Sequence, residues 1–160
     1  LKTGYTEAAG YCLVTSAKKD GQRLISVILG ATSVDARARE SQKLITYGMR
    51  FFETHSLYDA QESLGKARVW GGMEDYIDLM LEQELAVTIP RGQAKYIKAT
   101  MDINKGIEAP LSAGDVLGKV IITLDTDVIL EQNLVANQDM VHGGFIKGLI
   151  DGVTRVIMGE

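Results

Sequence analysis

The sequence predicts an α+β chain in three successive parts: antiparallel strands with a helix, a small all-β sandwich, and a C-terminal amphipathic helix. Three observations lead to this prediction. Two apolar runs joined by a polar Asp-Gly turn precede a long stretch with helical spacing of apolar residues. Six short β-type runs separated by Gly, Asn or Asp follow. Helical spacing then returns near the C-terminus. We expect the three parts to occupy residues 1–55, 56–138 and 139–160.

The composition excludes several classes of protein. The 160 residues carry a formal net charge of -4, so the chain lacks the basic surface that nucleic-acid binding requires. A single cysteine, Cys12, cannot form an internal disulfide and rules out a multi-thiolate metal site. No apolar run is long enough to span a bilayer as a helix.

The first part is predicted to be a hairpin followed by a helix. Residues 11–17 and 24–29 are typical of strands, and the turn between them contains Asp20 and Gly21. The second run is apolar at nearly every position, which is typical of a strand covered on both faces. Ser33 is a good N-cap for a helix over residues 34–53, with Ser41 and Gly48 small on its apolar face.

The β part rests on short runs with alternating apolar residues and turn residues between them. These runs are residues 66–70, 76–79, 84–89, 96–101, 116–123 and 128–134. Such spacing without a helical period predicts a small all-β sandwich.

The last part is predicted to be an amphipathic helix over residues 140–157. Phe145, Leu149, Val153 and Ile157 recur on one face, and the helix carries little net charge. Its modest length favours a helix that lies in a membrane surface instead of crossing the bilayer. The alternative is a helix that docks on the β part or on a second copy of the chain.

The candidate chemistry begins at the N-terminus, with the triplet Lys2-Thr3-Gly4. An extended peptide can add to an exposed strand edge, and on such a strand Lys2 and Gly4 point one way and Thr3 the other. Arg37 lies in the first turn of the predicted helix, and its planar guanidinium suits a carboxylate ligand. From the residues alone, the alternative is that Lys2 and Arg37 are ordinary solvated side chains.

A resemblance strengthens the functional interpretation. The run from Leu1 to Ala17, residues 21–31 and the hexapeptide at 47–52 resemble the low-molecular-mass D-alanyl-D-alanine carboxypeptidases, those similar to penicillin-binding proteins 5 and 6. Lys-Thr-Gly is one of three motifs shared by penicillin-binding proteins and serine β-lactamases. The resemblance implies that residues 1–55 are the C-terminal piece of a transpeptidase-like catalytic domain of the penicillin-binding/β-lactamase-like α/β fold. A β-rich accessory domain and a membrane-anchor helix would follow.

The resemblance also implies roles for individual residues. Lys2 would be catalytic, and the backbone N–H of Tyr5 would form half of the oxyanion hole. Lys2, Thr3, Gly4 and Arg37 would bind the substrate. The family's nucleophile lies in a Ser-x-x-Lys tetrad that is followed by a Ser-x-Asn motif. We expect both upstream of Leu1, so the 160-residue chain alone is expected to be inactive.

The activity implied is that of a serine-type carboxypeptidase that removes the terminal D-alanine from peptidoglycan pentapeptide stems through an acyl-enzyme. β-Lactam antibiotics would be its inhibitors, and the resemblance implies no metal or organic cofactor. The protein would be periplasmic and attached to the inner membrane by helix 140–157. The alternative from a different class is a non-catalytic β-sandwich module with a membrane-surface helix.

Overall fold

The computed structural model of the chain describes residues 1–144. It contains one α-helix and ten strands: β1 Lys2–Thr6, β2 Gly10–Lys19, β3 Gln22–Ala31, α1 Val34–Phe51, β4 Phe52–Tyr58, β5 Ser63–Arg68, β6 Tyr76–Met80, β7 Leu85–Pro90, β8 Ile97–Ile103, β9 Val116–Leu124 and β10 Asp127–Ala136. Residues 1–144 are therefore mostly β with one α-helix. Contacts divide it into a first unit, Leu1–His55 with Thr88–Lys95, and a second unit, Ser56–Val87 with the described residues from Tyr96 on. The limits 1–55, 56–138 and 139–160 stay predictions.

The first unit contains an antiparallel sheet in the order β1-β2-β3. The β2–β3 hairpin closes at Asp20 and Gly21, which both have positive φ (49° and 78°), as a two-residue hairpin turn requires. The two predicted strands are confirmed, and each is longer than the apolar run that indicated it.

Helix α1 packs on one face of this sheet, and the predicted N-cap is confirmed. The Ser33 hydroxyl accepts a hydrogen bond from the backbone N–H of Ala36 at 3.0 Å. Ser41 is buried (3% exposed) and its hydroxyl lies 2.8 Å from that of Thr15 and 2.6 Å from that of Ser26. A hydroxyl cluster thus joins the helix to β2 and β3, where apolar contacts alone would leave these groups unpaired.

Two details of the sequence prediction around the end of α1 are wrong. The helix ends at Phe51 instead of Glu53, because Phe52 is already extended (φ -121°, ψ 157°). Residues 56–58, which the sequence prediction left outside every strand, belong to strand β4, which forms a two-stranded sheet with β7. The apolar alternation in β4 is weak, and its pairing partner β7 lies about thirty residues further along the chain. Local sequence therefore does not indicate this strand, because long-range context decides its conformation.

An arginine closes the C-terminus of α1. The last carbonyls of a helix have no partner within it, and a basic side chain can satisfy them. The guanidinium of Arg91 donates at 3.2 Å to the carbonyls of Met49, Arg50 and Phe52. The Glu53 carboxylate accepts from the N–H of Gly92 at 2.8 Å and lies 3.3 Å from the Arg91 guanidinium. The hydrogen bond from Gly92, with the neighbouring His55, lowers the pKa of Glu53.

The second face of the three-stranded sheet stays open. Four apolar side chains on this face are 40 to 74% exposed: Val14, Ile25, Val27 and Leu29. The near-continuous apolar run of β3 predicted that both faces of the sheet are covered. Helix α1 covers one of them. Cover on the other face stays a prediction.

The second unit contains a five-stranded antiparallel sheet in the order β5-β6-β10-β9-β8. Its core consists of side chains no more than 5% exposed, among them Ala67, Val69, Trp70, Ile77, Leu79, Leu117, Val120, Ile122 and Leu134. The prediction that this part is all-β is confirmed. Five of the six predicted runs form this sheet, and the sixth is β7.

The predicted terminal helix does not begin at residue 140. Met140 is buried (3% exposed) and forms a β-bridge with Leu111, while His142 bridges to Gly72. These residues are extended because their backbone groups pair with the β part. Residues 145–157 of the predicted helix lie outside the described residues. Within residues 1–144, no helix has both the length and the apolar character needed to cross a bilayer.

Gly118 on β9 allows the close approach of β8. A Cβ atom there would lie 2.5 Å from the carbonyl oxygen of Asp102 and 2.9 Å from the Cα atom of Ile103. We expect Gly118→Ala to lower the free energy of unfolding by about 1–3 kcal/mol because backbone atoms cannot yield as a flexible side chain can. Fluorescence of Trp70, the only tryptophan, reports on this unit during urea unfolding.

Gly65→Ala is the matched control for Gly118→Ala. The added Cβ would meet only the flexible side chain of Met101, with the methyl group at an ordinary 3.5 Å and the sulfur at 3.9 Å. Equal unfolding midpoints for the two variants would show that the approach of β8 to Gly118 is not tight.

Candidate functional site on the edge strand β1

The Lys-Thr-Gly triplet lies on β1, an edge strand that pairs only with β2 among the described residues. The strand pairs with β2 from Lys2 opposite Val14 to Thr6 opposite Gly10, and all five of its residues are exposed. Its outer edge therefore offers backbone donors and acceptors to an added strand.

The two faces of β1 differ in chemistry. Lys2 lies opposite Val14, which in turn lies opposite Val27, so the lysine belongs to the sheet face that stays open. Thr3 lies opposite the buried Leu13 and Tyr5 opposite Tyr11, on the face that carries α1. The predicted alternation, with Lys2 on one side and Thr3 on the other, agrees with this register.

Arg37 lies beneath the motif strand. From the first turns of α1, its Nη1 donates to the carbonyl of Gly4 at 3.2 Å and to that of Cys12 at 3.1 Å. One guanidinium thus joins the helix to β1 and β2 at once. The role of Arg37 in binding a substrate carboxylate stays a prediction, as do the roles of Lys2, Thr3, Gly4 and the Tyr5 backbone N–H.

An aromatic pair accompanies Arg37. The rings of Tyr5 and Tyr11 lie with their centroids 4.4 Å apart, and the Arg37 guanidinium lies 5.7 Å from the Tyr11 centroid. Tyr5 is 56% exposed, so part of its ring remains available on the strand. Sequence reasoning missed this group, because Arg37 and the two tyrosines are separated along the chain and no local pattern links them.

The arrangement is suited to an extended peptide that ends in a carboxylate. Backbone groups of the β1 edge can pair with the peptide, and cations lie on both faces of the strand, Lys2 on one and Arg37 on the other. Charge-assisted hydrogen bonds to a carboxylate are about twice as strong as neutral ones. The site therefore has the geometry of a sheet edge that can accept an extended peptide, with basic side chains on either side.

Comparison with known proteins identifies the family. Residues 52–142 match the family described as "Penicillin-binding protein 5, C-terminal domain", and residues 1–33 match the family described as "D-alanyl-D-alanine carboxypeptidase". The first match covers more than half of the chain, which therefore belongs to the penicillin-binding protein 5 C-terminal domain family. The predicted resemblance is confirmed.

Curated relatives and solved structures agree with this assignment. The D-alanyl-D-alanine carboxypeptidases DacA and DacC of Escherichia coli are 38% and 39% identical over 94% and 96% of the chain. The chain spans 38% of the length of each. Penicillin-binding protein 5 from Haemophilus influenzae superposes with a TM-score of 0.82 at 36% identity, over 89% of this chain and 42% of that one.

Removing the Arg37 guanidinium should loosen β1. We expect Arg37→Ala to speed amide hydrogen exchange in β1 by about tenfold or more, because two backbone carbonyls lose a charged donor. Hydrogen–deuterium exchange of the 160-residue chain measures this. Arg39→Ala, an exposed arginine on the same helix, serves as the control and should leave β1 unchanged. Equal exchange in both variants would mean that Arg37 does not hold the strand.

Proposed function

We propose that the chain is the C-terminal part of a serine-type D-Ala-D-Ala carboxypeptidase that removes the terminal D-alanine from peptidoglycan pentapeptides. The single observation that carries the proposal is the position of Lys2 on an exposed edge strand, on the sheet face that stays open. The names of the relatives support the activity.

The open sheet face supports the finer proposal that residues 1–55 complete a transpeptidase-like α/β catalytic domain. Residues upstream of Leu1 would cover Ile25, Val27 and Leu29, which are 54 to 74% exposed here. Fully burying such side chains is worth about 1.5–3 kcal/mol each. The same segment would bring a serine nucleophile to the face that carries Lys2.

The chemistry proposed is acyl transfer in two steps. The serine oxygen attacks the carbonyl carbon of the D-Ala-D-Ala peptide bond, D-alanine leaves, and water then hydrolyses the acyl-enzyme. The Lys2 ammonium supplies positive potential and helps to hold the proton network. The backbone N–H of Tyr5 stabilises the oxyanion. Thr3 and Arg37 bind the terminal carboxylate, and Gly4 lets the peptide approach the strand. β-Lactams would acylate the same serine.

Acylation of the full-length protein by a fluorescent penicillin tests the proposal. We expect Lys2→Ala to slow labelling by about a hundredfold or more, the usual contribution of a positioned proton-transfer group. Lys18→Ala removes another exposed lysine, at the far end of β2, and should label normally.

Two results would contradict the proposed function. Undiminished labelling of the Lys2→Ala variant would remove this lysine from the mechanism. Failure of the unsubstituted full-length protein to label at all would overturn the carboxypeptidase assignment.

We further propose that the β part is a sandwich-type accessory domain and that a C-terminal amphipathic helix holds the protein on the periplasmic face of the inner membrane. Apolar burial by Phe145, Leu149, Val153 and Ile157 would provide most of the binding, since the segment carries little net charge. The similarity to DacA of Escherichia coli extends over 94% of the chain, which supports a shared order of parts.

Deleting residues 145–160 should release the full-length protein from membranes. The deletion leaves residues 140–144 in place, so the bridges of Met140 and His142 to the β part are retained. Sedimentation with vesicles of inner-membrane lipid composition measures binding. The truncated protein is expected in the supernatant, and its persistence in the pellet would exclude the anchor.

A further inference from the structure

Strand β8 is a long, regular and exposed edge of the second unit. Its seven residues pair with β9 without any shift in register, and the five central residues are exposed. The opposite edge strand, β5, has a register shift between Ser63 and Gly65. Proteins usually interrupt or protect such edges, because an unbroken one is a template for another strand. An uninterrupted β8 therefore suggests that something pairs with it.

The backbone of β8 shows which residues could pair outward. The N–H of Asp125 donates to the carbonyl of Tyr96, and the N–H of Asn104 donates to the carbonyl of Leu117. In an antiparallel ladder the bonded positions alternate, so the even-numbered residues of β8 turn their backbone groups towards β9. Ala99 and Met101, with the two end residues, turn theirs outward.

The sequence of β8 is self-complementary. About Thr100 it reads Ile97-Lys98-Ala99 on one side and Met101-Asp102-Ile103 on the other. If two copies of the strand pair antiparallel about Thr100, Lys98 of each copy lies opposite Asp102 of the other. The isoleucines then lie opposite each other, and Ala99 lies opposite Met101.

The backbone and the charges favour the same register. In this arrangement Ala99 of one copy and Met101 of the other form a pair whose outward groups can exchange two hydrogen bonds. Lys98 and Asp102 then fall in the non-hydrogen-bonded pairs, in which side chains approach more closely. Both are exposed, and the cation beside Asp102, Lys119, is already bound to Glu131 at 2.9 Å.

We propose that β8 is the contact of a two-fold homodimer, in which the β8 strands of two copies join their five-stranded sheets into one continuous sheet. The surface is isologous, since the same strand serves on both sides. The proposal concerns the second unit alone and does not depend on the proposed catalytic activity.

Sedimentation equilibrium of the 160-residue chain tests the proposal, at concentrations up to about 1 mM, where weak complexes of this kind form. Lys98→Glu gives a strand with two acidic positions, and Asp102→Lys gives one with two basic positions. In either homodimer like charges would face each other twice. We expect each single variant to dimerise roughly tenfold more weakly than the unsubstituted chain.

Mixing the two single variants provides the decisive measurement. The acidic strand of one variant complements the basic strand of the other at both pairs, so a heterodimer should form with the affinity of the unsubstituted chain. The double variant, Lys98→Glu with Asp102→Lys, should also recover dimerisation. Thermal unfolding monitored by Trp70 fluorescence checks that each variant is folded.

Three outcomes would overturn the proposal: an unsubstituted chain that is monomeric at the highest concentration, a dimer that is insensitive to both charge changes, or single variants that weaken association without recovery on mixing. The last result would assign association to another surface or to an extended peptide partner instead of a second β8.

Discussion

The contact on which the candidate site depends is the one between the Arg37 guanidinium and two strand carbonyls. An edge strand with every residue exposed gains little from burial, so β1 needs another reason to stay in place. Arg37 provides it by donating to Gly4 and Cys12 from the face that carries α1. A charged donor to a carbonyl is worth about 1.5–3 kcal/mol, which is large for a five-residue strand. Arg37, 35 residues further along the chain, therefore holds the strand that positions Lys2.

Polar groups also fix the other parts of α1. The middle of the helix is joined to the sheet by the hydroxyls of Thr15, Ser26 and Ser41, and its C-terminus by the guanidinium of Arg91. Such contacts are directional, whereas apolar packing allows sliding, so they fix the helix in rotation and along its axis. A helix fixed in this way holds Arg37 at a defined position relative to the sheet. Through its hydrogen bonds, Arg37 holds β1 in turn.

The sequence predicted the parts of the fold that have a local signal. The β2–β3 hairpin has its Asp-Gly turn, α1 has its N-cap and its small residues, and the runs of the β part have alternation between turns. Strand β4 has no such signal, because its partner β7 lies far along the chain and tertiary context decides its conformation. The helix predicted from residue 140 began too early. Met140 was assigned to the apolar face of that helix, but its side chain is buried in the β part and its backbone pairs with Leu111.

The candidate site was predictable only in part, for the same reason. Adjacent residues are enough to identify the motif triplet and to predict that Lys2 and Thr3 point to opposite faces of the strand. The register of β1 against β2 agrees with this prediction. The Arg37 contacts and the Tyr5–Tyr11 pair join residues that no short-range pattern connects. The family resemblance suggested Arg37 as a candidate residue. Only the folded chain shows that Arg37 lies beneath β1.

The edge strands β1 and β8 differ in what they can accept. On β1, a lysine lies on one face and an arginine lies beneath the other, and these two positive charges favour an anionic peptide. On β8, a lysine and an aspartate are placed symmetrically about Thr100, so the net charge of the strand is zero and the pattern is complementary to itself. Edge pairing through the backbone is available to both strands, and the side-chain charges determine which partner each one selects. The charges of β1 therefore suit the proposed anionic ligand, and those of β8 suit the proposed second copy of the chain.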